Sequence, residues 1–313
     1  MKFIKELKEG ESIREIYLCK SKKYLKTKTN KDYISCEFTD KTGYIDAKIF
    51  DITAGIREFE EGDYVLITAR VNNFNSKNQL IIDSTMVANP SDYEISNYLK
   101  SSDKDMIKLE KELKRLINLV TIEGYKKLLC NIFNEDSKFY KDFIEHAAAK
   151  KLHHGYRNGL LEHTVMVGRK AEFMANEHQR INKSLLITGA LLHDMAKVYE
   201  LSKLPNSDYT DLGNLVGHIT YAVIIISKEM DKIPELTDKQ KNHLIHLIIS
   251  HHGELEYGSP KKPQTLEAIA LHLCDNADAN IQIMLEILEN EPSDKIDLGY
   301  NKLFDAPLRR TDI

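Results

Sequence analysis

The sequence has few cysteines, no long apolar run and no internal repeat, and each absence excludes a class of protein. Its four cysteines among 313 residues are scattered, with no Cys-x-x-Cys pair, which argues against a disulfide framework or a zinc knuckle. No stretch of about 18 apolar residues occurs, so we expect no membrane span. The first residues lack the apolar run of a signal peptide. These features predict a cytoplasmic protein with reduced cysteines.

The net charge is small but unevenly distributed. The formal value of −4 neither favours nor excludes nucleic acid as a partner. Residues 1–90 contain 15 basic and 14 acidic side chains, whereas the remainder contains 29 and 34. With 42% hydrophobic residues, the chain is long and apolar enough for two globular domains. The acidic remainder suits a site that binds cations.

The first ninety residues show the period-two alternation of β-strands. Apolar and polar residues alternate in five short segments, 13–20, 32–39, 44–50, 65–71 and 79–87. A short helix or loop is expected at 51–60, between the third and fourth segments. Five such strands with an insert after the third predict a small closed barrel that resembles an OB-fold.

Beyond Asn89-Pro90 the pattern becomes helical, with apolar residues every three or four positions,. We therefore predict an α+β chain of two domains, a five-stranded OB-fold β-barrel followed by an all-α helical bundle. The predicted boundaries are 1–90 for the barrel, 91–150 for a helical linker region, 151–292 for the bundle and 293–313 for a weakly patterned tail.

Adjacent histidine and aspartate residues, His193 and Asp194, follow an apolar helix. Further histidines and an aspartate occur in other predicted helices, at His163, His218, His251 and Asp275. Imidazole and carboxylate groups bind divalent transition metals, and a helical bundle could direct all six inward. A lone histidine on an apolar face is more often a core residue, and the His251-His252 pair could be a polar helix end. The joint pattern nevertheless favours a metal-dependent hydrolase.

Six lysines without an acidic residue lie between positions 20 and 31, at the expected first hairpin. Aromatic and lysine side chains also alternate on the strand faces opposite the predicted core, where they could stack the bases of a single strand. The alternative is a solubilising loop with aromatics covered by a neighbouring domain. The predicted nucleic-acid-binding residues are Lys22, Lys23, Lys26, Lys28, Tyr33, Tyr44, Lys48 and Phe50.

The order of these histidines and aspartates resembles that of the HD-domain metal-dependent phosphohydrolases. Three motifs resemble the YhaM-type 3′→5′ exoribonucleases more closely, and they are His153-His-Gly-Tyr-Arg-Asn-Gly-Leu-Leu-Glu-His-Thr164, Leu191-Leu-His-Asp-Met-Ala-Lys197 and Ser250-His-His-Gly-Glu254. That family joins an amino-terminal OB-fold to an HD domain, and the resemblance covers most of the chain.

The resemblance implies a site with two divalent metal ions, Mn²⁺ by preference and Fe, Co, Zn or Mg as alternatives. His163, His193, Asp194 and Asp275 would hold one ion, and Asp194 would bridge to a second ion held by His218 and His251. Asp278 is the alternative to Asp275. Catalytic roles would fall to Asp194, to Lys197 and to His154, although Lys197 could equally be a solvated lysine favoured by the helix dipole.

The implied activity is release of nucleoside 5′-monophosphates from the 3′ end of single-stranded RNA, with single-stranded DNA as a further substrate. A homo-oligomer is also implied, and no membrane partner is expected. Two alternatives remain open at this stage. One is an HD-type nucleotidase or cyclic-nucleotide phosphodiesterase. The other is a nucleic-acid-binding regulator whose metal site is only structural.

Overall fold

A computed structural model describes residues 1–27, 29–52, 55–74, 77–98, 102, 104–149, 155–204 and 207–311. The chain divides into two compact units, Met1–Ser101 with Lys203–Asn206 and Ser102–Ser202 with Ser207–Ile313. The first unit consists mainly of β-strands and the second mainly of helices. Within the described ranges, no helix is both long enough and apolar enough to cross a membrane.

Five strands of the first unit form a closed barrel. They are β1 (Ser12–Lys26), β2 (Asp32–Asp40), β3 (Gly43–Ile49), β4 (Tyr64–Phe74) and β5 (Lys77–Val87). Their order is β1-β2-β3-β5-β4, and β1 closes the barrel by antiparallel pairing with β4. Alternate apolar side chains, such as Ile34, Cys36 and Phe38 on β2, fill the interior. The predicted α+β class and OB-fold barrel are confirmed.

A short helix or a loop was predicted between β3 and β4. The described residues there contain no helix and form a loop. Gly55 has a positive φ of 76° and its carbonyl accepts from the Thr85 backbone N–H at 3.1 Å. Arg57 in turn donates its backbone N–H to the Thr85 carbonyl at 3.2 Å. Because these groups bond to β5, they are not available for helical hydrogen bonds.

Helices form most of the second unit. They are α1 (Met106–Asn118), α2 (Glu123–Ile132), α3 (Lys138–Glu145), α4 (Gly159–Glu177), α5 (Lys183–Leu192), α6 (Lys197–Glu200), α7 (Asp211–Leu215), α8 (Gly217–Met230), α9 (Asp238–Ser250) and α10 (Leu266–Asn290). Helices α1 to α3 contribute to the same apolar core as the later helices.

Helix α5 is the central element of this unit. Every residue from Ser184 to Leu192 is buried, as expected of a helix that is packed on all faces. Gly189 allows α9 to approach closely, since a Cβ there would lie 2.6 Å from Leu247 Cδ2. The helix ends at Leu192, so His193 and Asp194, which follow it directly, lie in the interior.

The tail contains a hairpin that the weak sequence pattern did not predict. Strands β6 (Asp297–Asn301) and β7 (Ala306–Arg309) pair in antiparallel fashion. Arg310 then donates to the Leu288 carbonyl near the end of α10 at 2.9 Å. This contact satisfies a helix-end carbonyl that has no partner within the helix and fastens the hairpin to the bundle.

Candidate functional site

Five elements of the helical unit bring the six predicted metal ligands together. His163 lies on α4, His193 and Asp194 follow α5, His218 lies in the first turn of α8, His251 directly follows α9, and Asp275 lies on α10. All except the partly buried Asp275 are buried. Burial of this many ionisable groups is costly unless each is paired or bound to a metal.

One group of ligand atoms surrounds His163. Its Nε2 lies 3.1 Å from His193 Nε2, 3.4 Å from Asp194 Oδ2 and 3.2 Å from Asp275 Oδ1. Two imidazole nitrogens at this distance can share one proton between them or one cation. Two carboxylates beside them supply the negative charge that a divalent ion requires.

A second group surrounds the other oxygen of Asp194. Asp194 Oδ1 lies 3.3 Å from His218 Nε2 and 3.6 Å from His251 Nε2. Although these atoms are close, their geometry is not that of a hydrogen bond, and all three are buried without a hydrogen-bond partner in the structure as described. His252 also offers a ligand atom to this group. Converging buried acceptors without a donor fit a metal ion, because coordination would satisfy them together.

Each histidine predicted to be a ligand is oriented through its other ring nitrogen. His193 Nδ1 bonds the Ala190 carbonyl at 2.9 Å and His251 Nδ1 bonds the Ile248 carbonyl at 2.7 Å. His218 Nδ1 lies 2.8 Å from Glu200 Oε1. In all of these, Nδ1 donates to an oxygen and Nε2 is left as the acceptor that faces the cluster.

Asp278 orients His163 in the same way, at 2.8 Å from Nδ1. Its other oxygen accepts from Lys170 Nζ at 2.6 Å. Both carboxylate oxygens of Asp278 are therefore engaged outside the cluster, whereas Asp275 Oδ1 faces the Nε2 atoms of His163 and His193. This arrangement favours Asp275 over Asp278 as the ligand.

The charges of the cluster attract a cation. Burial alone would lower the pKa of His163, but Asp194 and Asp275 outweigh it and raise that pKa well above its usual value. Burial lowers the pKa of His251 and brings that of His252 to about 4. The last two rings are therefore neutral at pH 7 and able to coordinate a metal.

Lys197 lies beside the cluster, and its catalytic role stays a prediction. Its Nζ donates to Asp194 Oδ2 at 2.6 Å. Burial favours the neutral amine, but the adjacent Asp194 carboxylate prevails and raises the Lys197 pKa. Despite burial, Lys197 and His193 also hold the carboxyl pKa of Asp194 well below its usual range. The result is a buried, charged lysine beside the shared aspartate.

An open cavity of about 920 Å³ leads to these residues, which is within the size range of small-molecule sites. Asp194, Lys197, His218 and Asp275 line one part of it. A phosphate ester that enters the cavity can thus reach the cluster and the lysine together. His154, the third predicted catalytic residue, lies outside the described residues, and its role stays a prediction.

Two residues that lie at the site, Glu200 and His252, were assigned no functional role from the sequence. Glu200 is buried and also accepts from the His218 backbone N–H at 3.0 Å. It lies only six residues after Asp194, but a carboxylate that contacts a ligand rather than the metal has no recognisable spacing. His251 was predicted as a ligand and His252 was given no role, although its position next to a predicted ligand was a usable signal.

The barrel places several predicted nucleic-acid-binding residues in adjacent rows on its outer face. Strand register aligns Lys23, Ser35 and Lys48 in one row across β1, β2 and β3. The neighbouring row contains Tyr33, whose ring centre lies 5.6 Å from that of Phe50. Basic and aromatic groups therefore alternate near the β1–β2 hairpin, as in single-strand binding surfaces.

Other predicted contacts are placed differently. Lys22 has only 5% of its side chain exposed, and its Nζ donates to the Phe59 carbonyl at 2.5 Å. Lys26 is paired with Asp32 at 3.1 Å. Tyr44 is exposed, but the pair of acidic residues Glu37 and Asp46 lies between it and the row that contains Lys23 and Lys48. Lys28 lies outside the described residues.

Comparisons with known proteins give three similarities. A family model described as HD domain matches residues 160–280. A curated protein named 3′-5′ exoribonuclease YhaM, from Listeria welshimeri serovar 6b, is 30% identical over 287 residues, which cover 90% of this chain and 89% of that protein. The second OB-fold domain of replication protein A from Methanococcus maripaludis matches 28% of this chain and 92% of its own, with 22% identity and a TM-score of 0.21.

Proposed function

Because the chain belongs to the YhaM family of 3′-5′ exoribonucleases, we propose that it releases nucleoside 5′-monophosphates from the 3′ end of single-stranded RNA. The observation that carries this proposal is the shared carboxylate of Asp194. One of its oxygens faces His163 and His193, and the other faces His218 and His251. A carboxylate between two sets of nitrogen ligands is suited to bridging a pair of cations.

The residues of each set define the proposed metal ligands. His163, His193, Asp194 and Asp275 would hold one divalent ion, and Asp194, His218 and His251 would hold the second, with His252 adjacent. Bound divalent ions supply Lewis-acid activation of water and stabilise the charge that develops on phosphoryl oxygens. Mixed imidazole and carboxylate ligands suit Mn²⁺, with Fe, Co and Zn as alternatives.

The protein groups around the ligands position the substrate and keep the site charged. Lys197 lines the cavity and keeps its proton beside Asp194, so its ammonium can bind a non-bridging oxygen of the scissile phosphate. Glu200 and Asp278 hold two ligand rings through Nδ1. Fixed rings reduce the reorganisation needed when the transition state forms.

The barrel contributes the strand-binding surface in this proposal. Lys23 and Lys48 would contact phosphates, and Tyr33 and Phe50 would stack bases. We leave Lys22 out of the set, since only 5% of its side chain is exposed. Single-stranded DNA as a further substrate and assembly into a homo-oligomer stay predictions from the sequence.

A direct test uses 5′-labelled single-stranded RNA and purified protein supplied with Mn²⁺. We expect a ladder of progressively shorter labelled fragments and nucleoside 5′-monophosphates as products. Asp194→Asn should abolish the ladder, whereas Asp231→Asn, which changes an exposed carboxylate paired with Lys241, should not. Intact RNA together with hydrolysis of free nucleotides would contradict the proposal and favour a nucleotidase. A parallel reaction with DNA of the same sequence measures the sugar preference.

A further inference from the structure

One aromatic side chain in the cavity has no role in the metal chemistry. Tyr257 lies on the short 3₁₀ helix Leu255–Tyr257 and lines the cavity together with Asp194, Lys197 and Asp275. It is 66% exposed, and among the described residues no group bonds its hydroxyl and no other ring stacks on its own. Its ring is therefore free to contact a ligand.

The backbone of Tyr257 is fixed to the metal-binding residues. His252 donates its Nδ1 proton to the Tyr257 carbonyl at 2.8 Å. The Tyr257 N–H donates to the Glu254 carbonyl at 3.2 Å. Since His252 directly follows the ligand His251, five residues connect a metal ligand to this tyrosine. Single exposed aromatics are common on proteins, but the backbone of this one is fixed and its side chain lines the same cavity as the cluster.

Gly253 makes the connection possible. It has a positive φ of 84°, and a Cβ at this position would lie 2.3 Å from His272 Cε1. The same His272 ring donates its Nδ1 proton to the His251 carbonyl at 2.9 Å. The chain thus crosses the face of one imidazole directly after the ligand, a path that only glycine can take. The segment is specified by its sequence and is not a loose loop.

The substrate of an exonuclease sets a requirement on such a side chain. An exonuclease that shortens RNA of any sequence must hold each successive 3′ nucleotide without reading its base. Aromatic stacking provides this, because every base has a π-face. A stacking residue must lie beside the catalytic cluster, be rigidly attached and leave its ring free. Tyr257 meets all three conditions.

We propose that Tyr257 stacks on the base of the 3′-terminal nucleotide while the scissile phosphate lies at the Asp194 cluster. This inference rests on the proposed exoribonuclease activity. The cavity wall on α10 provides further polar groups for the same nucleotide, since Asn276 and Asn280 line it one turn apart and bond each other at 2.9 Å. Tyr209, which is 52% exposed, lines the cavity as well and serves as the comparison residue.

The test compares RNA that has a normal 3′-terminal nucleotide with the same RNA that has an abasic 3′ terminus. For the wild type we expect kcat/KM for the first cleavage to be on the order of 10- to 100-fold higher with the base present. Tyr257→Ala should bring that ratio close to 1, mainly through KM. Tyr257→Phe should keep it, because stacking does not need the hydroxyl. Phe173→Ala, which removes a 64% exposed aromatic on α4, should keep it too.

The outcomes separate this inference from the proposed function. A wild type that does not shorten RNA at all overturns the proposed function. A wild type that shortens RNA, with an unchanged ratio in Tyr257→Ala, overturns only the stacking role. The assignment would also be overturned if Tyr209→Ala, and not Tyr257→Ala, brought the ratio of the two kcat/KM values close to 1. Mn²⁺ content and circular dichroism of Tyr257→Ala should match the wild type, because the bond from His252 goes to the main chain.

Discussion

Replacement of Glu200 should weaken metal binding, although Glu200 is not itself a proposed metal ligand. Glu200 Oε1 accepts two bonds from the same residue, from His218 Nδ1 at 2.8 Å and from the His218 backbone N–H at 3.0 Å. The hydrogen bond from Nδ1 fixes the tautomer of His218 in which Nε2 carries no proton and faces Asp194 Oδ1. The negative charge of Glu200 would also increase the basicity of the His218 imidazole as a metal ligand.

The magnitude follows from which of these contributions each variant removes. In Glu200→Gln the amide oxygen can still accept both bonds, so mainly the charge is lost, and Mn²⁺ affinity should fall by roughly 10-fold, or about 1.4 kcal/mol. In Glu200→Ala the bonds are lost as well and the ring can rotate. We therefore expect a loss of roughly 100-fold for the alanine variant.

Calorimetric titration of the demetallated protein with Mn²⁺ provides the measurement. Only one of the two binding events should weaken, because Glu200 contacts the second group of ligands and not His163. Glu110→Gln is the matched control, since this half-buried carboxylate accepts from Tyr140 at 2.9 Å and should leave both events unchanged. Wild-type affinity in a correctly folded Glu200→Ala protein would refute the assignment of His218 as an oriented ligand.

Three further predictions concern the lysine, the glycine and the barrel. Lys197→Met should retain its Mn²⁺ by elemental analysis but lose kcat on the order of 100-fold; unchanged kcat would exclude a phosphate contact. Gly253→Ala should lower the free energy of unfolding in urea by about 3 kcal/mol, since it adds both a strained φ and an overlap with His272; a neutral effect would mean that the backbone path differs. Lys23→Ala and Lys48→Ala should each reduce the salt dependence of RNA binding by about 0.7 in log–log slope, and an unchanged slope would place the RNA elsewhere.

Local pattern was sufficient to predict the architecture. In the barrel, strict alternation around Ile34, Cys36 and Phe38 fixes which face is buried and with it the register of the strand. In the bundle, an apolar helix that ends in His193-Asp194 can place these groups only in the interior. The histidines of the other helices are useful ligands only if they meet there.

The positions that were not predicted depend on tertiary contacts. Glu200 was given no role and Asp278 was predicted only as the alternative to Asp275. Each bonds the ring of a predicted ligand, and no spacing along the chain reveals which carboxylate meets which imidazole. The residues before β4 could not be assigned from propensity, because pairing with Thr85 decides their structure. The tail hairpin depends on Arg310 reaching the end of α10, a contact that the local sequence does not signal.

The most direct measurement of the central claim is anomalous diffraction from crystals grown with Mn²⁺, recorded at the manganese edge. Two peaks should flank the Asp194 carboxylate, one within bonding distance of His163, His193 and Asp275 and the other within bonding distance of His218 and His251. A single peak, or peaks that lie away from Asp194, would contradict the two-metal site.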